Sequence, residues 1–159
     1  MEKKDYRFED FFEDVNDKDK DFVSKVHELL TRDDCKIKVE LKATGFFASY
    51  SHPTTKRSIL NFAFRKKGLM VRIYGDNCNK YEDVLNRLPE KMVKQIEKAG
   101  VCKRILDPKT CNPKCVMGYD FKIGKNKFQK CRNSCFFFEV DAESVSFLLE
   151  LIESEKNSR

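Results

Sequence analysis

The stretch from Cys102 to Cys135 constrains this chain more than any other, because it carries five of the seven cysteines. Four of them form two matched pairs, Cys111 with Cys115 and Cys131 with Cys135, separated by the fifteen residues from Val116 to Lys130. Within that interval Tyr119 to Ile123 and Lys127 to Lys130 flank a Gly124-Lys-Asn turn, which predicts a β-hairpin that sets the pairs side by side. Thiolates are soft, anionic ligands, and four of them suit tetrahedral zinc with no open position. The expected site is therefore a structural zinc on Cys111, Cys115, Cys131 and Cys135, with Cys102 as an alternate ligand. Lys109, Lys114, Lys130 and Arg132 would offset its negative charge. Both pairs have three intervening residues where most zinc knuckles have two, and that spacing also fits two small buried residues on one helical turn. An iron–sulfur cluster, redox-active thiol pairs and no bound species are the competing readings. Cys35 and Cys78 read as ordinary part-buried thiols.

A chain of 159 residues fits one domain, 1–159, with 102–135 as a cysteine-rich sub-region. Its 14 Phe and absence of Trp predict a core built largely on phenylalanine. No apolar run approaches the roughly 18 residues of a membrane span. The opening Met1-Glu-Lys-Lys-Asp-Tyr carries no apolar signal segment, which predicts a cytoplasmic protein with reduced thiols.

The net charge of +6 is unevenly spread. Residues 1–34 carry 7 Lys/Arg and 12 Asp/Glu, residues 35–135 carry 23 and 8, and residues 136–159 carry 2 and 6. The middle of the chain, at +15, can attract phosphate polymers, or its charge is partly neutralised by the acidic ends folding over it.

Phe8, Phe11, Phe12 and Val15 share one face of a short helix. Phe22, Val26, Leu29 and Leu30 recur at helical spacing in a second, with Asn16 or Asp17 able to cap it. Its His27 reads as a surface or boundary residue. Strands follow at Ile37 to Leu41, Phe46 to Ser51, Ile59 to Lys66 and Leu69 to Tyr74. A Lys67-Gly68 turn would set Phe64 opposite Val71 and Phe62 opposite Ile73. Helices are predicted from Lys80 to Leu88 and from Glu90 to Ala99, with Pro89 in the first turn of the latter. After the cysteine region come a buried strand, Phe136 to Val140, and a last helix capped by Asp141. That helix carries Val145, Leu148, Leu149 and Ile152 on its inner face. The tail from Ser154 is expected to fray.

The same hairpin register puts Asn61, Ala63 and Arg65 opposite Tyr74, Arg72 and Met70 on the second face of the sheet. That set could line an anion groove; the plainer alternative is a solvated or helix-covered face with Arg72 paired to an acid. No P-loop, dinucleotide fingerprint, HExxH or nucleophile elbow is present. Cys102 or Cys78 with His52 is a conceivable catalytic pair, but nothing in the spacing brings them together.

Phe47-Ala-Ser-Tyr-Ser-His-Pro53, Asn61-Phe-Ala-Phe-Arg-Lys-Lys-Gly68, Val71-Arg-Ile-Tyr-Gly75, Cys111-Asn-Pro-Lys-Cys115 and Lys130-Cys-Arg-Asn-Ser-Cys135 together resemble an uncharacterised family of small bacterial cysteine-containing proteins. The likeness runs from about residue 8 to residue 155. More distantly, the helix and meander with an Arg-Lys-Lys-Gly turn are similar to YdhG-like α+β domains. The resemblance implies a fold and no activity.

The expected fold is α+β: an antiparallel sheet of about four strands with helices on one face, then a cysteine-bearing hairpin and a C-terminal helix. The expected function is a non-enzymatic, zinc-stabilised module for an anionic partner such as nucleic acid. Arg65, Lys66, Lys67, Arg72, Lys103 and Arg104 would meet that partner. A thiol-dependent redox protein or enzyme using Cys102 or the paired cysteines is one alternative. A metal-free protein-interaction domain working through its acidic ends is another.

Overall fold

In a computed structural model, residues 5–107, 109 and 118–159 are described, so Cys111 and Cys115 lie outside the described residues. The chain opens with helices α1 (Phe8–Glu13) and α2 (Asp17–Thr31), followed by strands β1 (Lys36–Lys42), β2 (Gly45–Ser51), β3 (Ser58–Arg65) and β4 (Gly68–Ile73). A single 3-10 turn at Cys78–Lys80 leads into α3 (Glu82–Asn86), α4 (Glu90–Lys98) and α5 (Lys103–Leu106). The hairpin β5 (Tyr119–Ile123) and β6 (Asn126–Lys130), strand β7 (Phe137–Glu139) and helix α6 (Val145–Asn157) complete it.

The fold is α+β. Five strands form one antiparallel sheet in the order β1-β2-β3-β4-β7, and β5-β6 form a separate two-stranded sheet. Period-two alternation directs Val39, Ala48, Tyr50, Phe62, Val71 and Phe138 to one face. There they join a single apolar core with Phe11, Phe22, Val26, Leu30, Leu148 and Ile152 of α1, α2 and α6. The phenylalanine-based core holds: Phe11, Phe22, Phe62, Phe121, Phe128, Phe136 and Phe138 are all buried.

The small sheet packs against α3 and the 3-10 turn. Side chains satisfy its outer edge, since Glu82 Oε2 accepts the Lys122 N–H at 3.0 Å and Asn86 Oδ1 the Gly124 N–H at 2.7 Å. On its other edge Val101 bridges to Lys130.

Three local expectations are corrected. The β3–β4 turn is Lys66-Lys67 rather than Lys67-Gly68, so Phe62 pairs with Val71 and Phe64 with Leu69, and Arg72 faces Asn61 instead of Ala63. The positive φ of 119° falls on Gly68, the residue that adopts it most readily, and this moves the register by two while keeping each side chain on its predicted face. Pro89 stands just ahead of α4 in extended conformation, not inside its first turn.

The C-terminal segment does not fray. The buried stripe of α6 is Leu148, Leu151, Ile152 and Glu155, and Arg159 is held by Glu155, Asp76 and the carbonyls of Tyr74 and Ser58. A polar tail packs here because its charges find partners within the protein.

Candidate anion-binding face

The strand register lays one row of side chains across the whole large sheet, on the face opposite the core: Lys38, Ser49, Asn61, Arg72 and Phe137, each paired with the next. The corrected β3–β4 register makes the centre of this row. Arg72 donates Nη1–H to Asn61 Oδ1 at 3.0 Å and Nε–H to the Asn133 carbonyl at 2.7 Å, while Asn61 Nδ2 donates to the Tyr74 hydroxyl at 3.1 Å. Asn61 is 4 % exposed, so it acts as a buried brace that orients the guanidinium.

The Arg72 guanidinium lies 4.4 Å from the centre of the Phe137 ring, and that of Arg65 lies 5.7 Å from the same ring. Two cations thus share one aromatic group. Among the described residues, both have only neutral hydrogen-bond partners, Arg65 donating to the Phe64 carbonyl and Thr44 Oγ1. A ring quadrupole attracts each cation but does not cancel its charge. The face therefore presents uncompensated positive charge beside a half-buried ring. Among the described residues Arg72 has no acidic partner, unlike the plainer sequence reading, but Asn61, Ala63 and Met70 on the same face are buried, as the covered face of that reading expected.

A second cation–aromatic contact lies at the other end of the sheet, with Lys42 Nζ 5.8 Å from the centre of the half-buried Phe47 ring. Lys42 and Lys38 both pair with Glu40, at 2.6 and 3.1 Å, and hold its carboxyl down to about 2, so Glu40 stays ionised. Beyond Tyr74, Asp76 gathers Arg57, Arg132 and Arg159 at 3.2, 3.0 and 3.5 Å. Arg132 also lies over the Tyr74 and Tyr119 rings.

Of the residues singled out in the sequence, Arg65 and Arg72 come together on Phe137, and Lys66 and Lys67 form the exposed turn at the end of their hairpin. Lys103 begins α5, beside the small sheet, and the Arg104 side chain is outside the described part of the structure. Phe137 was not foreseen as a site residue, because Phe136-Phe-Phe read as uniformly buried. The signal was present in strand alternation, which buries Phe136 and Phe138 and turns Phe137 outward. The Asn133 carbonyl had no such signal.

The described cysteines divide by environment. Cys131 and Cys135 share one tight turn, in which the Cys135 N–H donates to the Cys131 carbonyl at 2.9 Å; Cys135 is fully buried and Cys131 half-buried. Cys102 is buried, and its Sγ accepts the Gly118 N–H at 3.2 Å. Gly118 is required there, since a Cβ would lie 2.1 Å from the Lys130 carbonyl and 2.9 Å from Cys102 Sγ. Burial pushes the Cys35 and Cys135 thiols up, and Cys78 up to about 12, so Cys35 and Cys78 stay protonated at neutral pH. Among the described residues, no three His, Cys, Asp or Glu gather as a metal-holding group.

Neither histidine faces a thiol through any described contact. His52 Nδ1 accepts the N–H groups of Thr54 and Thr55 in its own turn, while His27 bonds to the Tyr50 hydroxyl at 2.8 Å and stacks on Phe8. Among the described residues, no helix is long and apolar enough to cross a membrane.

The site belongs to an α+β domain whose larger sheet carries a cationic, aromatic outer face. No family model matches the chain, and no curated protein and no solved structure matches it.

Proposed function

We propose that the protein is a non-enzymatic binding module, acting in the cytoplasm, that holds single-stranded nucleic acid on the outer face of its five-stranded sheet. The observation that carries this reading is the Arg65–Phe137–Arg72 stack, with two guanidiniums on one ring and, among the described residues, no carboxylate paired with either. Phosphate supplies the missing charge, and a base supplies a flat partner for the half-buried Phe137 ring. Asn61 keeps Arg72 in place before the ligand arrives, which reduces the ordering needed on binding. Lys38 and Lys42 extend the track across the sheet, and Lys66 and Lys67 extend it at the hairpin end.

A structural zinc on Cys111, Cys115, Cys131 and Cys135, with Cys102 as alternate, is the second part of the proposal. What supports it is the matched spacing of the pairs, together with the bridge between Val101 and Lys130 that sets Cys102 and Cys131 on adjoining chain segments. Metal analysis of untagged protein should find about one zinc per chain, lost on Cys131→Ser. Metal-free protein with a rapidly alkylated thiol would favour redox chemistry instead.

Fluorescence anisotropy with labelled oligo(dT) tests the binding face. Four phosphate contacts, from Arg65, Arg72, Lys66 and Lys67, predict a slope of log K against log salt of about −3. Phe137→Leu keeps an apolar residue on β7 but removes the stack, and should weaken binding roughly tenfold or more. A flat salt response would dismiss nucleic acid as the ligand, and full affinity in Arg65→Ala/Arg72→Ala protein that still folds would dismiss this face as its site.

A further inference from the structure

A separate groove of about 200 Å³ runs between α4 and the β4–β7 side of the large sheet. Its apolar lining comes from Met70, Met92 and Phe138. Lys91, Lys94 and Lys98 line it from α4, at positions i, i+3 and i+7, and so form a stripe about 10 Å long. Lys67 lines it from the β3–β4 turn.

The lysines are not equally engaged. Lys91 is held by Asp141 and Glu139, and Lys94 pairs with Glu90 one turn back along α4. Among the described residues, Lys67 and Lys98 have no ion pair. Asp141 also accepts the Ser144 N–H at 2.9 Å at the start of α6, so its carboxylate is committed to the fold. Four cations against two carboxylates leave the lining at +2.

We propose that this groove binds an acidic peptide segment through one apolar anchor side chain. The volume is below the about 300–1,000 Å³ of sites that enclose drug-sized ligands, and it suits a single aliphatic or aromatic side chain on the Met70–Met92–Phe138 floor. The lysine stripe is drawn out along the helix axis, which suits several carboxylates spaced along a backbone better than one headgroup. Glu139 and Asp141 in the same lining repel a continuous phosphate chain, whereas carboxylates on separate residues can sit against Lys94, Lys98 and Lys67 and avoid them. This site shares Lys67 with the proposed nucleic-acid track but does not rest on that reading of the sheet face.

The test is anisotropy of the whole protein with a fluorescein-labelled Glu-Asp-Glu-Leu-Asp-Glu-Asp peptide, its Leu-to-Ser counterpart, and labelled oligo(dT). The expected result is saturable binding of the leucine peptide, weakened at least tenfold by the Leu-to-Ser change and at least tenfold by Lys94→Glu/Lys98→Glu. Both substituted lysines are exposed, and unchanged circular dichroism verifies the fold. Lys94→Gln/Lys98→Gln should fall between wild type and the charge reversal. Arg65→Ala/Arg72→Ala should leave peptide binding intact. No saturable peptide binding, equal binding of the two peptides, or indifference to Lys94→Glu/Lys98→Glu would each overturn the proposal. Loss of oligo(dT) affinity in Lys94→Glu/Lys98→Glu equal to the loss of peptide affinity would overturn it too, by making the groove part of the nucleic-acid track.

Discussion

Glu155→Ala is the most demanding test of how the fold is held together. The Glu155 carboxylate has no solvent exposure. It accepts hydrogen bonds from the Asn77 N–H at 3.0 Å, Asn77 Nδ2 at 2.9 Å, the Tyr81 hydroxyl at 2.8 Å and Arg159 Nε at 2.9 Å. Removing it leaves the buried Tyr81 hydroxyl and both Asn77 donors without their acceptor, at ~1–3 kcal/mol for an unpaired buried group. It also leaves a guanidinium whose side chain is 7 % exposed, and breaking a buried ion pair from one side costs about 3–5 kcal/mol. These losses share one carboxylate and do not add, and Arg159 keeps its contacts to Asp76 and two carbonyls, so the expected destabilisation is about 4 kcal/mol. Against a total stability of ~5–15 kcal/mol that is a large fraction. With a urea m-value of about 2 kcal/mol per M, the unfolding midpoint should fall by about 2 M. Glu155→Gln keeps the volume and one acceptor oxygen and should lose roughly half as much. A Glu155→Ala midpoint within about 0.5 M of wild type, at unchanged m, would refute the reasoning, because the network would then be exchanging with water in the native state.

Two further predictions use a buried hydroxyl and a half-buried histidine. Among the described residues the buried Tyr119 hydroxyl has no hydrogen-bond partner, so Tyr119→Phe should raise stability by about 1 kcal/mol, read as a higher urea midpoint; a loss of similar size would mean that the hydroxyl is satisfied in solution. His27 is lowered from its ordinary value of 6.5 by burial, with Glu9 opposing. Its folded value lies below the unfolded one, so the unfolded chain binds more protons, and stability should be complete above pH 6.5 and decline as pH falls through that value. His27→Gln should remove this part of the decline between pH 7 and 5; an unchanged profile would show that His27 titrates normally.

Much of the architecture follows from short-range pattern. Alternation in Ile37 to Leu41 and in the Asn61–Tyr74 hairpin, helical spacing from Phe22 to Leu30, and the Gly124 turn all express how a backbone of given period partitions its side chains. Such patterns hold for each element in isolation, so helices and strands were legible within a residue or two, as were the polarity of the second sheet face and the cationic character of Arg65 and Arg72. The amphipathic stripe of α6 was legible only in part, because Glu155 looked like a solvent-facing residue until its four donors were in place.

Long-range pairing decided the rest. Periodicity is indifferent to a two-residue slip along the β3–β4 hairpin, yet that slip is what sets Arg72 beside Asn61. Nothing local to Phe137 says that β7 will lie against β4 and place its ring under two guanidiniums. The amino-acid order determined which faces are apolar and where charge accumulates, because those are properties of single elements. The tertiary structure alone decided which charges are neutralised and which stay available, because an ion pair or a stacked cation depends on groups brought together from distant parts of the chain.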